Sequence, residues 1–132
     1  MVTDPIGDFI IRIKNAGNTK KASVSVPFSK MKLAVAELLS SKGFVGAIIK
    51  KGKNDVLKSL TVDLLYNRDG SPMVSGVKRI SKPSRRLYAN SKNLKAFHKG
   101  YGMSVLSTPK GIMADVDAKK DNLGGEVLFN IW

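Results

Sequence analysis

The run Ser104-Val-Leu-Ser-Thr-Pro-Lys-Gly-Ile-Met113 reads as a strand that ends in Ser107, Thr108, Pro109, Lys110 and Gly111. It lies in a region without acid. Between Asp69 and Asp115 there are nine Lys or Arg and no carboxylate. Positive charge draws a chain onto a polyanion, but Lys and Arg on phosphates carry no sequence information. Hydroxyls on a turn beside glycine can meet a base edge or a ribose 2′-OH as donor and acceptor. Together these features point to a specific RNA binder.

Outward from this run, the spacing predicts a strand from Met103 to Ser107, a short helix after Asp115 and a final strand from Glu126 to Trp132. Val127, Phe129 and Ile131 alternate with Leu128, Asn130 and Trp132, so both faces of that strand are expected to be partly covered. Ser81 to Gly102 carries Pro83, Arg85, Arg86, Lys92, Lys95 and Lys99 with weak periodicity and reads as an irregular link.

The N-terminal half is patterned differently. Asp4-Pro5 is an N-cap followed by proline at the first helical position. Ile6, Phe9, Ile10 and Ile13 follow at helical spacing, with Gly17 as a stop. Ser23 to Pro27 alternates like a short strand. Ser29 caps a second helix, with Met31, Val35, Leu38 and Leu39 inward and Gly43 closing it. Phe44 to Ile49 and Val56 to Tyr66 make a hairpin across the basic turn Lys50 to Asp55. A third strand is expected from Met73 to Ile80. The fold class is therefore α+β. Residues 1–80 form an N-terminal α/β subdomain, two helices packed on a small three-stranded sheet. Residues 81–132 form a C-terminal β-rich subdomain with one short helix.

The formal net charge of +13 over 132 residues implies an anionic partner, the alternative being a solvated basic face. There are no cysteines, which excludes disulfides, thiol catalysis and cysteine-based zinc sites. No apolar run approaches a membrane span, and no signal peptide is evident. A cytoplasmic protein is expected, with an organelle matrix as the alternative. The lone His98 sits between Phe97 and Lys99, a surface or phosphate-contacting setting rather than that of a general base. The carboxylates show no paired spacing, and no phosphate-binding glycine motif is present. The sequence thus calls for no enzyme activity, cofactor, metal or small-molecule substrate.

The RNA reading has several parts. Arg85 and Arg86 can grip phosphate bidentately, and Lys78, Arg79 and Lys82 extend the charge. Tyr88 reads as a stacking face or as a core tyrosine. Ser107, Thr108 and Lys110 form a reading tip or an ordinary polar turn. Gly124 and Gly125 let the backbone approach a ligand closely. Glu126 accepts from a base or sugar, orients a neighbouring cation, or makes a surface salt bridge. Lys30 and Lys32 stand in the first turn of the second helix, where cations oppose the macrodipole. A bound anion would relieve that conflict; surface lysines are the alternative. A non-specific nucleic-acid protein and an RNA-modifying enzyme are the competing classes.

These segments, in this order, resemble the family of bacterial small-subunit ribosomal protein eight. The resemblance is carried by Asp4 to Asp8, Arg12 to Asn15, Pro27 to Lys32, Arg79 to Pro83, Arg85 to Tyr88, Gly102 to Thr108, Lys110 to Met113 and Gly124 to Val127. It implies an N-terminal α/β and a C-terminal β-rich subdomain. It implies direct binding to the central domain of small-subunit rRNA and nucleation of assembly there. Many members also bind a mimic of that site on their own messenger RNA and repress translation. Ribosomal proteins five and seventeen are implied as neighbours. The hydroxyl loop and the Gly-Gly-Glu turn are implied to face the RNA.

Two departures stand out. The family loop reads Ser-Thr-Ser, whereas Pro109 is third here and offers neither hydroxyl nor amide proton. One hydrogen bond to RNA is then absent or replaced, at about 1 kcal/mol if nothing compensates. Lys110 or packing of the proline ring would compensate. The short helix often begins with Thr, where this chain has Ala114, so Asp115 is expected to take over the cap.

Overall fold

The computed structural model describes residues 4–52, 58–82, 84–90 and 102–132. Residues 53–55 of the basic turn, Pro83, Lys92, Lys95, His98 and Lys99 lie outside them. The chain is α+β, with three helices and eight strands among the described residues. It clusters into two units. Asp8–Ser75 forms one, and Gly76–Trp132 together with the segment up to Gly7 forms the other.

Helix α1 spans Pro5–Asn18. Asp4 caps it, its Oδ1 accepting the Gly7 N–H at 3.2 Å. Phe9, Ile10, Ile13 and Ala16 are buried on one stripe of the helix. Gly17 is no stop. It is buried against Pro72, whose Cβ lies 3.0 Å from where a Gly17 Cβ would stand. The helix ends one residue later, at Asn18, and is closed by Lys20 at φ 61° with the Lys21 N–H reaching back to the Ala16 carbonyl at 3.0 Å.

Helix α2 spans Lys30–Ser41 and is capped by Ser29, whose hydroxyl accepts the Lys32 N–H. Its buried stripe is Lys32, Val35, Ala36 and Leu39: Val35 and Leu39 point inward as expected, while Lys32 and Ala36 stand where Met31 and Leu38 were expected. Met31 is exposed, while the long Lys32 side chain runs inward and delivers its ammonium to the Pro27 carbonyl at 3.2 Å. After Gly43 the Phe44 N–H donates to the Leu39 carbonyl at 3.0 Å, closing the helix end.

Strands β1 (Ser23–Pro27), β2 (Val45–Lys51) and β3 (Ser59–Leu64) form an antiparallel sheet in the order β1-β3-β2. Val24 and Val26 of β1 and Leu60 and Val62 of β3 are buried, while Ser23, Ser25 and Pro27 are exposed. The strand expected over Met73 to Ile80 is shorter, Val77–Arg79 (β4), and it pairs with the C-terminal sheet. The third strand of the N-terminal sheet is β1.

That C-terminal sheet runs β4-β8-β6-β7. Its other strands are β5 (Tyr88–Ala89), which also pairs with β8, β6 (Met103–Thr108), β7 (Gly111–Ala114) and β8 (Gly125–Ile131). Helix α3, Asp115–Lys120, packs Ala118 with Leu106 and with Ala89, Met113 and Val127. Ala114 offers no capping hydroxyl. Asp115 is buried as the first helical residue and its carboxylate accepts only the neighbouring Val116 N–H at 3.0 Å, so Ala114 keeps the cap position without a side-chain hydrogen bond and the expected takeover by Asp115 does not occur.

The register between β6 and β8 shifts at Val105/Leu106, and Leu128 is the extra residue. Its carbonyl accepts from Ile80 N–H, Ser81 N–H and Arg79 Nη1. Leu128, Phe129 and Ile131 are all buried, so both faces of this strand are covered.

Candidate nucleic-acid interface

The sheet brings three of the sequence-selected residues into one row. Tyr88 of β5 stands opposite Glu126 of β8, and Glu126 stands opposite Ser107 of β6. Directly opposed residues of antiparallel strands project from the same face. Neighbouring strands lie about 4.8 Å apart, so the row reaches about 10 Å from Tyr88 to Ser107. The packing of Leu106, Val127 and Ala89 with Ala118 assigns α3 to the other face.

Tyr88 is 70% exposed, which excludes the core alternative. Glu126 makes an ion pair with Arg86, whose Nη1 lies 3.2 Å from Oε1 and 3.3 Å from Oε2. The carboxylate is mostly covered at 13% exposure, while the guanidinium keeps 58%. Glu126 therefore fixes the direction of an exposed cation and leaves most of its donors outward. Of the three roles open to Glu126, the geometry gives it a salt bridge that also orients a cation.

The two glycines serve close approach, but to the chain itself. A Cβ on Gly125 would stand 2.1 Å from the Ser107 carbonyl oxygen, and one on Gly124 would stand 2.6 Å from the Ala89 carbonyl oxygen. Without side chains, β8 lies tightly between β5 and β6, and the Tyr88–Glu126–Ser107 row can form.

The hydroxyl turn is built from within. β6 and β7 are joined by Pro109 and Lys110, both exposed, with Thr108 paired to Gly111. The Thr108 hydroxyl donates to the Gly111 carbonyl at 2.8 Å and accepts the Lys110 N–H at 3.2 Å. Thr108 is buried, so its hydroxyl holds the turn rather than standing at its tip. Gly111 takes φ 116°, which a side chain would resist. Ser107 is half-buried, and Lys110 keeps its ammonium at the surface.

A second basic loop lies before β5. Lys82 and Arg85 pair through both backbone hydrogen bonds, at 2.9 and 3.0 Å, and both are exposed. Ser81 closes this loop. It is fully buried, its hydroxyl donating to the Leu87 carbonyl at 3.1 Å and accepting the Leu87 N–H at 2.8 Å. A lone serine between Ile80 and Lys82 gave no sequence signal for that role.

Arg79 does not extend the charged surface. Its Nε and Nη2 grip the two Asp4 carboxylate oxygens at 3.0 Å each. Burial works against ionisation of Asp4, but the Arg79 hydrogen bonds and the Gly7 amide outweigh it and hold the carboxyl below the ordinary range.

Lys30 and Lys32 belong to the other unit. Lys30 is exposed at the start of α2. Lys32 is buried and spends its ammonium on Pro27, which resolves the clash with the helix dipole internally. No group of three His, Cys, Asp or Glu that could hold a metal occurs among the described residues. No described helix is long and apolar enough to cross a membrane.

Comparison with known proteins gives this arrangement a setting. The family profile described as Ribosomal protein S8 matches residues 4–132. The chain belongs to the ribosomal protein S8 family. Relatives named Small ribosomal subunit protein uS8 from Rhodopseudomonas palustris (strain BisB5), Afipia carboxidovorans and Nitrobacter winogradskyi are each 46% identical over 129 residues, covering 98% of this chain and 97% of theirs. S8 relatives are thus named as ribosomal proteins and not as enzymes. Membership of the S8 family places the chain among ribonucleoprotein components of translation.

Proposed function

We propose that this chain is a structural constituent of the small ribosomal subunit that binds its rRNA directly and helps nucleate assembly of the central domain. Binding to its own messenger RNA, with repression of translation, is the further role this reading carries. Small-subunit rRNA and the neighbouring ribosomal proteins five and seventeen are its partners on this reading. Its place is the ribosome of a cytoplasm or an organelle.

One observation carries the proposal: an exposed Tyr88 in row with Ser107, flanked by exposed Lys82, Arg85, Arg86 and Lys110, on a chain of the S8 family. The division of labour follows from exposure. Tyr88 supplies an aromatic face for an unpaired base. Ser107 offers donor and acceptor to a base edge or ribose. Lys82, Arg85, Arg86 and Lys110 meet phosphate, and Lys110 supplies a donor beside Pro109. Thr108, Gly111, Gly124, Gly125 and Glu126 set the shape and direction of the others. Lys30 adds a phosphate contact from the other unit, with Lys32 supporting the start of its helix.

Binding to a hairpin from the central domain tests this at several salt concentrations. Tyr88→Ala is expected to cost about 1–3 kcal/mol with little change in salt slope. Ser107→Ala is expected to cost about 1 kcal/mol, also at constant slope. Arg85→Ala with Arg86→Ala is expected to flatten the slope by about one unit per lost phosphate contact. Identical slope changes in both groups of variants would refute the assignment.

A further inference from the structure

Strand β1 has an open edge. In the ladder with β3, the Leu64 N–H donates to the Ala22 carbonyl and the Phe28 N–H donates to the Lys58 carbonyl. Those bonds bracket β1, whose register is Ser23 opposite Asp63 through Pro27 opposite Ser59. Alternation in an antiparallel pair then gives Val24 and Val26 to β3 and turns the backbone groups of Ser23, Ser25 and Pro27 the other way. Pro27 has no N–H, and its carbonyl is taken by the Lys32 ammonium. Ser23 and Ser25 are left with two N–H and two C=O groups without a partner among the described residues.

This edge lines a groove of about 340 Å³ whose other wall is the last half of α1. Arg12, Asn15, Thr19, Lys21, Ser23 and Ser25 line it, and no carboxylate does. Arg12 is half exposed and gives only its Nε to Asp8, so other donors remain. Lys21 is exposed, and its side chain makes no ion pair among the described residues.

We infer that this groove receives an extended, carboxylate-bearing segment of another protein, which pairs with β1 as a fourth strand. A strand edge beside a helix offers main-chain hydrogen bonds for affinity and side-chain contacts for selection. The outward groups decide between occupants. A peptide backbone supplies both donors and acceptors, matching two N–H and two C=O. Phosphodiester oxygens only accept, which would leave the Ser23 and Ser25 carbonyls facing negative charge. A second copy of the chain would bring its own net charge of +13 against this one. The cationic lining matches an acidic segment instead. With two outward residues, the pairing is short, so the contact is weak alone and adds to other contacts of the same partner.

The test uses the intact, isotope-labelled chain and a blocked peptide of alternating threonine and glutamate. Binding is expected to shift the Ser23 and Ser25 amides and slow their hydrogen exchange. Ser25→Pro, which removes an outward N–H on an edge where proline is tolerated, is expected to weaken binding at least about tenfold. Lys21→Glu is expected to weaken it several-fold. The same peptide N-methylated at alternate residues should not bind, a control that leaves the protein untouched. Unmoved Ser23 and Ser25 amides would overturn the inference, as would equal binding of the N-methylated peptide. So would an oligouridylate that shifts the same amides and displaces the peptide, because the groove would then be an RNA surface.

Discussion

At the scale of single residues, the decisive feature is where polar side chains are spent. Arg79 and Asp4 lie 75 positions apart and meet in a two-point ion pair that also caps α1. This pair has a pH signature. The Asp4 carboxyl ionises at lower pH in the folded chain than in the unfolded one. A depressed acid contributes stability that is present above its unfolded value, about 3.9, and that fades as pH falls through the folded value. Asp4→Asn is therefore expected to lower stability by about 2 kcal/mol near neutrality, since it leaves Arg79 half-buried without its anion. The gap between the variant and the parent should narrow below about pH 4. Urea unfolding at neutral and acid pH measures it, and a gap that stays constant with pH would count against the pair.

Among the elements, Gly125 is the position on which the proposed interface depends. β8 is held against β6 with the Ser107 carbonyl where a side chain would begin. That oxygen is backbone and cannot turn aside, so Gly125→Ala must push β8 away from β6 or break their pairing. The expected cost is about 3 kcal/mol or more, above ordinary overpacking. Gly111→Ala offers the contrast: nothing lies within 4 Å of its Cβ position, and only φ 116° resists the change. It should cost about 1–2 kcal/mol. Near-equal losses in urea unfolding would contradict this ranking. Legibility in the sequence follows the same physics. The Asp4-Pro5 cap, the alternation of Ser23 to Pro27 and the turn at Thr108 to Gly111 are local signals, and the structure has all three. The grip of Arg79 on Asp4 and the contact of Gly17 with Pro72 are not local, while the inward course of Lys32 to Pro27 and the Ser81 clamp on Leu87 each reach across a turn. Each depends on a carbonyl, carboxylate or ring delivered by another segment. The row was half legible: the residue types of Tyr88, Ser107 and Glu126 suggested contact, but only strand register aligns them.

For the molecule as a whole, charge sets the balance between stability and binding. The chain carries 23 Lys and Arg against 10 Asp and Glu, so at least 13 cations have no carboxylate of their own. The Arg12–Asp8 pair is exposed and weak, and the Arg86–Glu126 pair keeps its cation exposed above a mostly covered carboxylate. Repulsion among the surplus cations opposes folding and is screened over about 10 Å at 0.1 M salt. The free protein is therefore expected to melt several degrees higher when salt is raised from about 20 mM to about 300 mM. The complex with rRNA should respond in the opposite sense, losing affinity over the same range as condensed counterions cease to be released so favourably. Thermal unfolding of the free chain and binding titrations in the same buffers test both at once. A melting temperature that falls with salt would mean that attractive pairs, and not the surplus cations, dominate the folded state. The +13 charge would then no longer be a reserve of repulsion that RNA neutralises on binding.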